Sequence, residues 1–136
     1  MKRLQWFFVL FGLMVARVGI AQTLAVGPVS GNEAALPVAV VPFAFEGAGL
    51  PPDTDISAVI GADLSRSGQF RALSRQDIVE TPARPADVKF ATWRLLKQDF
   101  LVIGRISDAD AGALRIEFEL FDVAKQARLM GLAIGA

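Results

Sequence analysis

Pro37-Val38-Ala39-Val40-Val41-Pro42-Phe43 is a run of apolar, largely β-branched residues without a charge. A strand with one wet face alternates apolar and polar residues. This run does not, and it is expected to be a strand covered on both sides. Proline has no amide donor, which puts Pro37 at the strand's start and Pro42 at its end. A glycine- and proline-rich loop, Glu46 to Asp55, leads from it into a helical pattern. A buried strand feeding a helix through a loop opens an α/β domain.

Downstream, Asp53, Thr54 or Asp55 is expected to cap a helix beginning near Ile56. Ile56, Val59, Ile60 and Leu64 would form its apolar stripe, and Gly68 its left-handed stop. Phe70 to Leu73 then returns as a short strand, parallel to the first through a right-handed crossover. Ser74 is expected to cap a single turn through Ile78, and Pro82 and Pro85 force a loop. A second helix is predicted from Asp87 to Gln98, with Phe90, Trp93 and Leu96 joined by Val88, Ala91 and Leu95 on a broad apolar face. Lys89, Arg94 and Lys97 are its wet residues. An aromatic at this spacing is expected in the core rather than as a ligand platform, which assigns Trp93 to packing. Phe100 to Gly104 reads as a second doubly covered strand. Leu114, Ile116, Phe118 and Leu120 alternate with Arg115, Glu117 and Glu119, the pattern of an antiparallel strand with one face in water. Leu129 to Ile134 is the last strand. The expected fold is α/β, a mixed sheet with a βαβαβ start and an antiparallel meander, with helices packed on the sheet.

Upstream, Met1-Lys2-Arg3 is a basic head, Leu4 to Ala16 is almost wholly apolar, and Gly19-Ile20-Ala21 supplies small residues at −3 and −1. This is the plan of a secretory signal peptide over residues 1–21, cleaved after about Ala21. As a helix, Leu4 to Ala16 spans about 20 Å against a hydrocarbon core of about 30 Å, too short for a membrane anchor. Residues 22–35 follow as an extended tail and 36–136 as the folded domain. The tail has the composition of a frayed new terminus, or of a tethered peptide that adds to the edge of a partner's sheet.

Loss of Lys2, Arg3 and Arg17 with the leader leaves 11 basic against 14 acidic residues, a net charge near −3. Arg66, Arg71, Arg75, Arg84, Arg94 and Arg105 are scattered, giving neither a stripe for nucleic acid nor a polybasic patch for lipid. Histidine, cysteine and tyrosine are all absent. Disulfides, thiolate catalysis, a Ser-His-Asp arrangement and lipid attachment to an N-terminal cysteine are excluded with them. Gly47-Ala48-Gly49 resembles a phosphate loop, but the third glycine of a dinucleotide fingerprint would fall at Pro52. Asp108-Ala109-Asp110-Ala111-Gly112 resembles the start of a calcium loop, with Gly112 where an oxygen ligand is required. A polar hairpin turn accounts for the same residues. No catalytic residue, metal, cofactor or small-molecule substrate is expected.

Taken together, Val38-Ala39-Val40-Val41-Pro42-Phe43, Ala62-Asp63-Leu64-Ser65-Arg66-Ser67-Gly68-Gln69-Phe70, Trp93-Arg94, Asp99-Phe100-Leu101-Val102-Ile103-Gly104 and Leu120-Phe121-Asp122 resemble, in order and spacing, the N-terminal domain of the TolB family. The resemblance runs from Leu24 to about Met130. It implies the TolB N-terminal, anticodon-binding-like fold and a periplasmic, non-enzymatic role in the Tol-Pal envelope system. In that family the mature N-terminal peptide contacts TolA, and a C-terminal β-propeller binds the lipoprotein Pal. Carried onto this chain, the TolA-binding peptide is Gln22 to about Asn32, with Gln22, Thr23, Leu24, Ala25, Val26 and Val29 as its contacts. The family continues through a further helix and the propeller, whereas this sequence stops at Ala136. It is expected to be a fragment or a truncated reading frame, with Pal as a partner only if a propeller were present. Two rival readings remain. Lipoproteins of similar fold that activate cell-wall synthases or build secretion pores carry an anchoring cysteine this chain lacks. A small-ligand sensor would use the crevice beyond Phe43 and Gly104, with Glu46 as its polar group.

Overall fold

A computed structural model describes residues 35–136. The expected signal peptide and all of the expected tail but Ala35 lie outside the described residues. Six strands form one mixed sheet: β1 (Leu36–Val40), β2 (Ala44–Phe45), β3 (Phe70–Ala72), β4 (Phe100–Asp108), β5 (Leu114–Asp122) and β6 (Ala127–Gly135). Their order is β3-β1-β4-β5-β6, with β2 also paired to β4. β1 is parallel to β3 and β4, and β4, β5 and β6 form the antiparallel meander. Helix α1 (Ile56–Arg66) and helix α2 (Phe90–Leu95) complete the fold.

The central strand is covered on both sides, as its unalternating sequence requires. Val38 and Val40 pack with Val102 against Ile60 and Leu64 of α1. Ala39 and Val41 face the other way, into a cluster with Trp93, Leu101, Ile103, Phe121 and Val123. The strand is shorter than the apolar run, however. Val41 N–H still donates to Val102 O at 3.0 Å, but Pro42 has no N–H to continue the ladder. Pairing resumes at Ala44 opposite Arg105, so the step from Val40 to Ala44 holds one residue more than that from Val102 to Arg105. That surplus is a bulge, and it turns the ring of Phe43 onto the sheet.

Asp55 is the N-cap of α1, its carboxylate accepting from Ala58 N–H at 3.1 Å. Gly68, at φ +73°, ends the helix. The buried face of α1 differs from the expected stripe: Ser57 and Gly61 are buried, while Val59 is half exposed. Small residues let the helix axis approach β1 and β3, and an apolar count passes over them. Ser74 precedes a 3₁₀ turn at Arg75–Asp77 but makes no side-chain cap.

The second helix is half the predicted length. Pro85–Asp87 forms a separate 3₁₀ turn, Val88 is extended, and Lys89 at the N-cap offers no acceptor. At the other end Gln98 N–H donates to Trp93 O and Lys97 N–H to Arg94 O, with Lys97 at φ 59°. This is a Schellman stop, which closes the helix before Gln98. In so short a helix only one side is covered: Trp93 is fully buried, while Ala91 is exposed and Leu95 is 83% exposed.

Alternation on β5 also proves incomplete as a guide. Arg115 is exposed and Glu117 partly so, but Glu119 is buried. Arg105, on the neighbouring strand, donates to Glu119 Oε1 and to Ala83 O, drawing the Pro82–Ala83 loop over that face. The contact is long, at 3.3 Å, and Glu119 Oε2 has no partner among the described residues. Arg105 therefore offsets only part of the desolvation that alternation assumes is avoided.

Candidate functional site

Gln22, Thr23, Leu24, Ala25, Val26 and Val29 lie outside the described residues, so what the structure describes is the base from which that segment departs. Leu36 N–H donates to Gln69 O at 2.9 Å, fastening β1 beside the edge strand β3, and Leu36 itself is partly exposed. β1 begins at the end of the sheet opposite the crevice beyond Phe43.

That crevice, of about 310 Å³, is lined by Pro42, Phe43, Phe45, Pro51, Pro52, Ile56 and Ile106, with Asp53, Thr54, Asp55 and Arg75 at its polar side. Two of its three charged groups are engaged with each other. Asp55 and Arg75 pair at 2.7 Å, and Asp55 also accepts from Ser57 Oγ–H at 2.6 Å. Glu46, the polar group a ligand would need, is held in a two-pronged pair with Arg84, at 2.6 and 2.8 Å. Above Gly104 the space belongs to Phe43: a Cβ built on Gly104 would lie 2.6 Å from its ring carbons. Gly104→Ala is expected to force that ring aside and cost about 1–3 kcal/mol. Chemical denaturation checks it, and a Phe43→Leu, Gly104→Ala double variant should lose less than the two single losses added.

The two weak motifs meet each other. Ala48 N–H donates to Asp108 Oδ2 at 2.7 Å, and Gly47 lies so close to Asp108 and the Phe45 ring that a Cβ there would be 2.5 Å from both. The glycine loop and the acidic turn therefore close on one another, and the turn itself is a short 3₁₀ segment, Asp110–Gly112. Among the described residues no group of three or more acidic side chains is placed to hold a metal ion.

The densest charge cluster was not singled out in the sequence. Arg105 Nε pairs with Glu117 Oε2 at 2.8 Å and its Nη1 with Glu119 Oε1 at 3.3 Å, while Arg115 reaches Glu117 Oε1 at 2.9 Å. Cross-strand register alone predicts the first of these, since Arg105 stands directly opposite Glu117. The carboxylates respond to such partners. The hydrogen bond from Arg84 holds Glu46 below its ordinary value of 4.5, that from Arg115 does the same for Glu117, and that from Ser57 lowers Asp55 below 3.8. Arg84 is raised in turn by Glu46. A depressed folded-state pKa stabilises the fold above the unfolded value and stops doing so as pH falls through the folded one. The melting temperature is therefore expected to hold from neutrality to about pH 4.5 and to fall below it. Thermal melts at stepped pH check this, and Glu117→Gln should flatten the acid limb.

What these features define is a mixed-sheet α/β domain with helices packed on the sheet and ion pairs joining its strands and loops. Comparison with known proteins makes the class specific. The family model of the TolB amino-terminal domain matches residues 25–129, and the chain belongs to that family. Tol-Pal system protein TolB of Xanthomonas euvesicatoria pv. vesicatoria is 50% identical over 137 residues, covering 99% of this chain and 31% of the relative. The same protein of Xanthomonas campestris pv. campestris strain B100 matches equally, at 50%. The chain thus spans under a third of the length of these relatives. Among solved structures, TolB from Acinetobacter baumannii superposes with a TM-score of 0.59 at 24% identity, over 75% of this chain and 23% of that one. The LpoB C-terminal domain from Salmonella enterica gives 0.61 at 10%, over 76% and 82%. Both show the fold.

Proposed function

We propose that this chain is a component of the Tol-Pal system of the periplasm, exported by a signal peptide cleaved after about Ala21. It acts without catalysis, as an adaptor whose domain (36–136) holds out the tail (22–35) to TolA. The observation that carries the reading is the family match, which begins at residue 25, inside the tail, and runs on through the domain. The names of the relatives supply the system. The chemistry agrees: carboxylates pulled below their ordinary values by arginine and serine partners stay ionised and paired, the opposite of a general acid. Gln22, Thr23, Leu24, Ala25, Val26 and Val29 would make the contact, largely through backbone hydrogen bonds to an edge strand. Support of outer-membrane integrity and of constriction at division would follow from that link. Binding of purified TolA by chains with and without residues 22–32 tests the reading.

A further inference from the structure

The far edge of the sheet carries a second feature, independent of the tail. β6 is nine residues long and, among the described residues, is an edge strand. From Leu129 to Ala136 it holds no charge and no proline, the devices that ordinarily blunt such an edge. Leu129, Met130, Leu132 and Ile134 are each about half exposed, at 52%, 47%, 48% and 45%.

The hydrogen-bond phase shows which backbone groups are free. Leu114 and Ala136 exchange both N–H···O bonds at 2.8 Å, so the pairs Ile116–Ile134, Phe118–Leu132 and Leu120–Met130 point inward to β5. The alternate residues, Gly131, Ala133 and Gly135, therefore turn N–H and C=O outward. A bulge at Leu129, between the pairs Leu120–Met130 and Phe121–Arg128, ends this regular stretch. Neither glycine has a positive φ, and a Cβ on Gly135 would meet nothing, while one on Gly131 would make only ordinary contacts at 3.6 Å. Nothing among the described residues calls for glycine there. Glycine inside a strand is commonly found where another backbone comes close.

We propose that β6 pairs antiparallel with β6 of a second copy of this chain, about a two-fold axis at Ala133. In that register Gly131 stands opposite Gly135 of the second copy and Ala133 opposite its mate, which satisfies every outward group of the regular stretch. Leu132 faces Ile134 across the closer, non-hydrogen-bonded pairs, extending the apolar strip of Ile116, Phe118 and Leu120 from one copy to the next. Charge permits it. Arg128, the strand's one ionised side chain, lies five residues from the axis, so the two copies are separated by about 33 Å at a strand rise of about 3.3 Å. Glu117, beside Ala133, is already neutralised by Arg105 and Arg115.

Sedimentation of the full chain from micromolar to several hundred micromolar is expected to show a monomer–dimer equilibrium. Ala133→Pro removes an outward N–H and no bond to β5, and Leu132→Lys places charge on the seam. Each should weaken association at least about ten-fold. Because the chain lacks cysteine, Ala133→Cys gives an independent measurement. A hydrogen-bonded pair sets Cα atoms about 5.5 Å apart, within disulfide reach, so mild oxidation should yield a covalent dimer. Val79→Cys, 64% exposed elsewhere, should not. A chain monomeric throughout the range, or a dimer untouched by Leu132→Lys and not trapped by Ala133→Cys, overturns the proposal and gives β6 to a different occupant.

Discussion

Trp93→Ala is expected to lower the stability of the domain by about 3–5 kcal/mol, the largest loss from any single side chain here. Trp93 is fully buried and sits at the centre of the cluster formed by Ala39, Val41, Leu101, Ile103, Phe121 and Val123. Leu73, Ile78, Val88, Phe90 and Leu96 close around it. It is also what ties α2 to the sheet, since a helix of six residues has little stability of its own. Truncation would leave a cavity shared by strands β1, β4 and β5, three elements whose side chains cannot all collapse inward. For a domain of this size the melting temperature should drop by at least about 12 °C. Circular dichroism is the measurement, because the substitution removes the one tryptophan outside the expected signal peptide. Trp93→Phe should cost less. It keeps most of the ring and removes an indole N–H that is buried without a hydrogen-bond partner among the described residues. A Trp93→Ala chain melting like the wild type would contradict this account of the core.

The parts of the fold that were legible in the sequence are those governed by one local rule. Val38 to Val41 announces a doubly covered strand because burial on both faces leaves no room for alternation. Asp55 caps α1 and Gly68 stops it because each residue type suits one backbone need. Trp93 is core because an aromatic at helical spacing on an apolar face packs inward more often than it serves a ligand. The parts that were missed depend on partners distant in sequence. Gly61 and Ser57, not Val59, face β1, since what matters there is close approach and not hydrophobicity. Glu119 is buried because Arg105, fourteen residues away, comes to lie beside it across the β4–β5 ladder. β2 exists because Pro42 breaks one ladder and β4 is long enough to offer another.

The candidate site divides in the same way. Its crevice lies beyond Phe43 as expected, but Gly104 falls inside β4 beneath the Phe43 ring and does not line it. The character of the crevice was not legible. Glu46 looked like a free polar group until Arg84, thirty-eight residues on, was found holding it. The contact residues of the tail lie outside the described residues, and their roles rest on the family and on position.

The central claim is that binding resides in the leading peptide and that the domain serves to carry it. Ordering a flexible peptide on a partner costs on the order of 2–5 kcal/mol, which points to weak-to-moderate affinity that depends on most of the segment at once. The decisive measurement is a calorimetric titration of TolA into the exported chain and into one lacking Gln22–Asn32, with the melting temperature of each recorded. The account predicts that binding heat disappears with the peptide while the melting temperature stays unchanged, because the deleted residues precede the first strand at Leu36. Equal affinity in the two chains would contradict it.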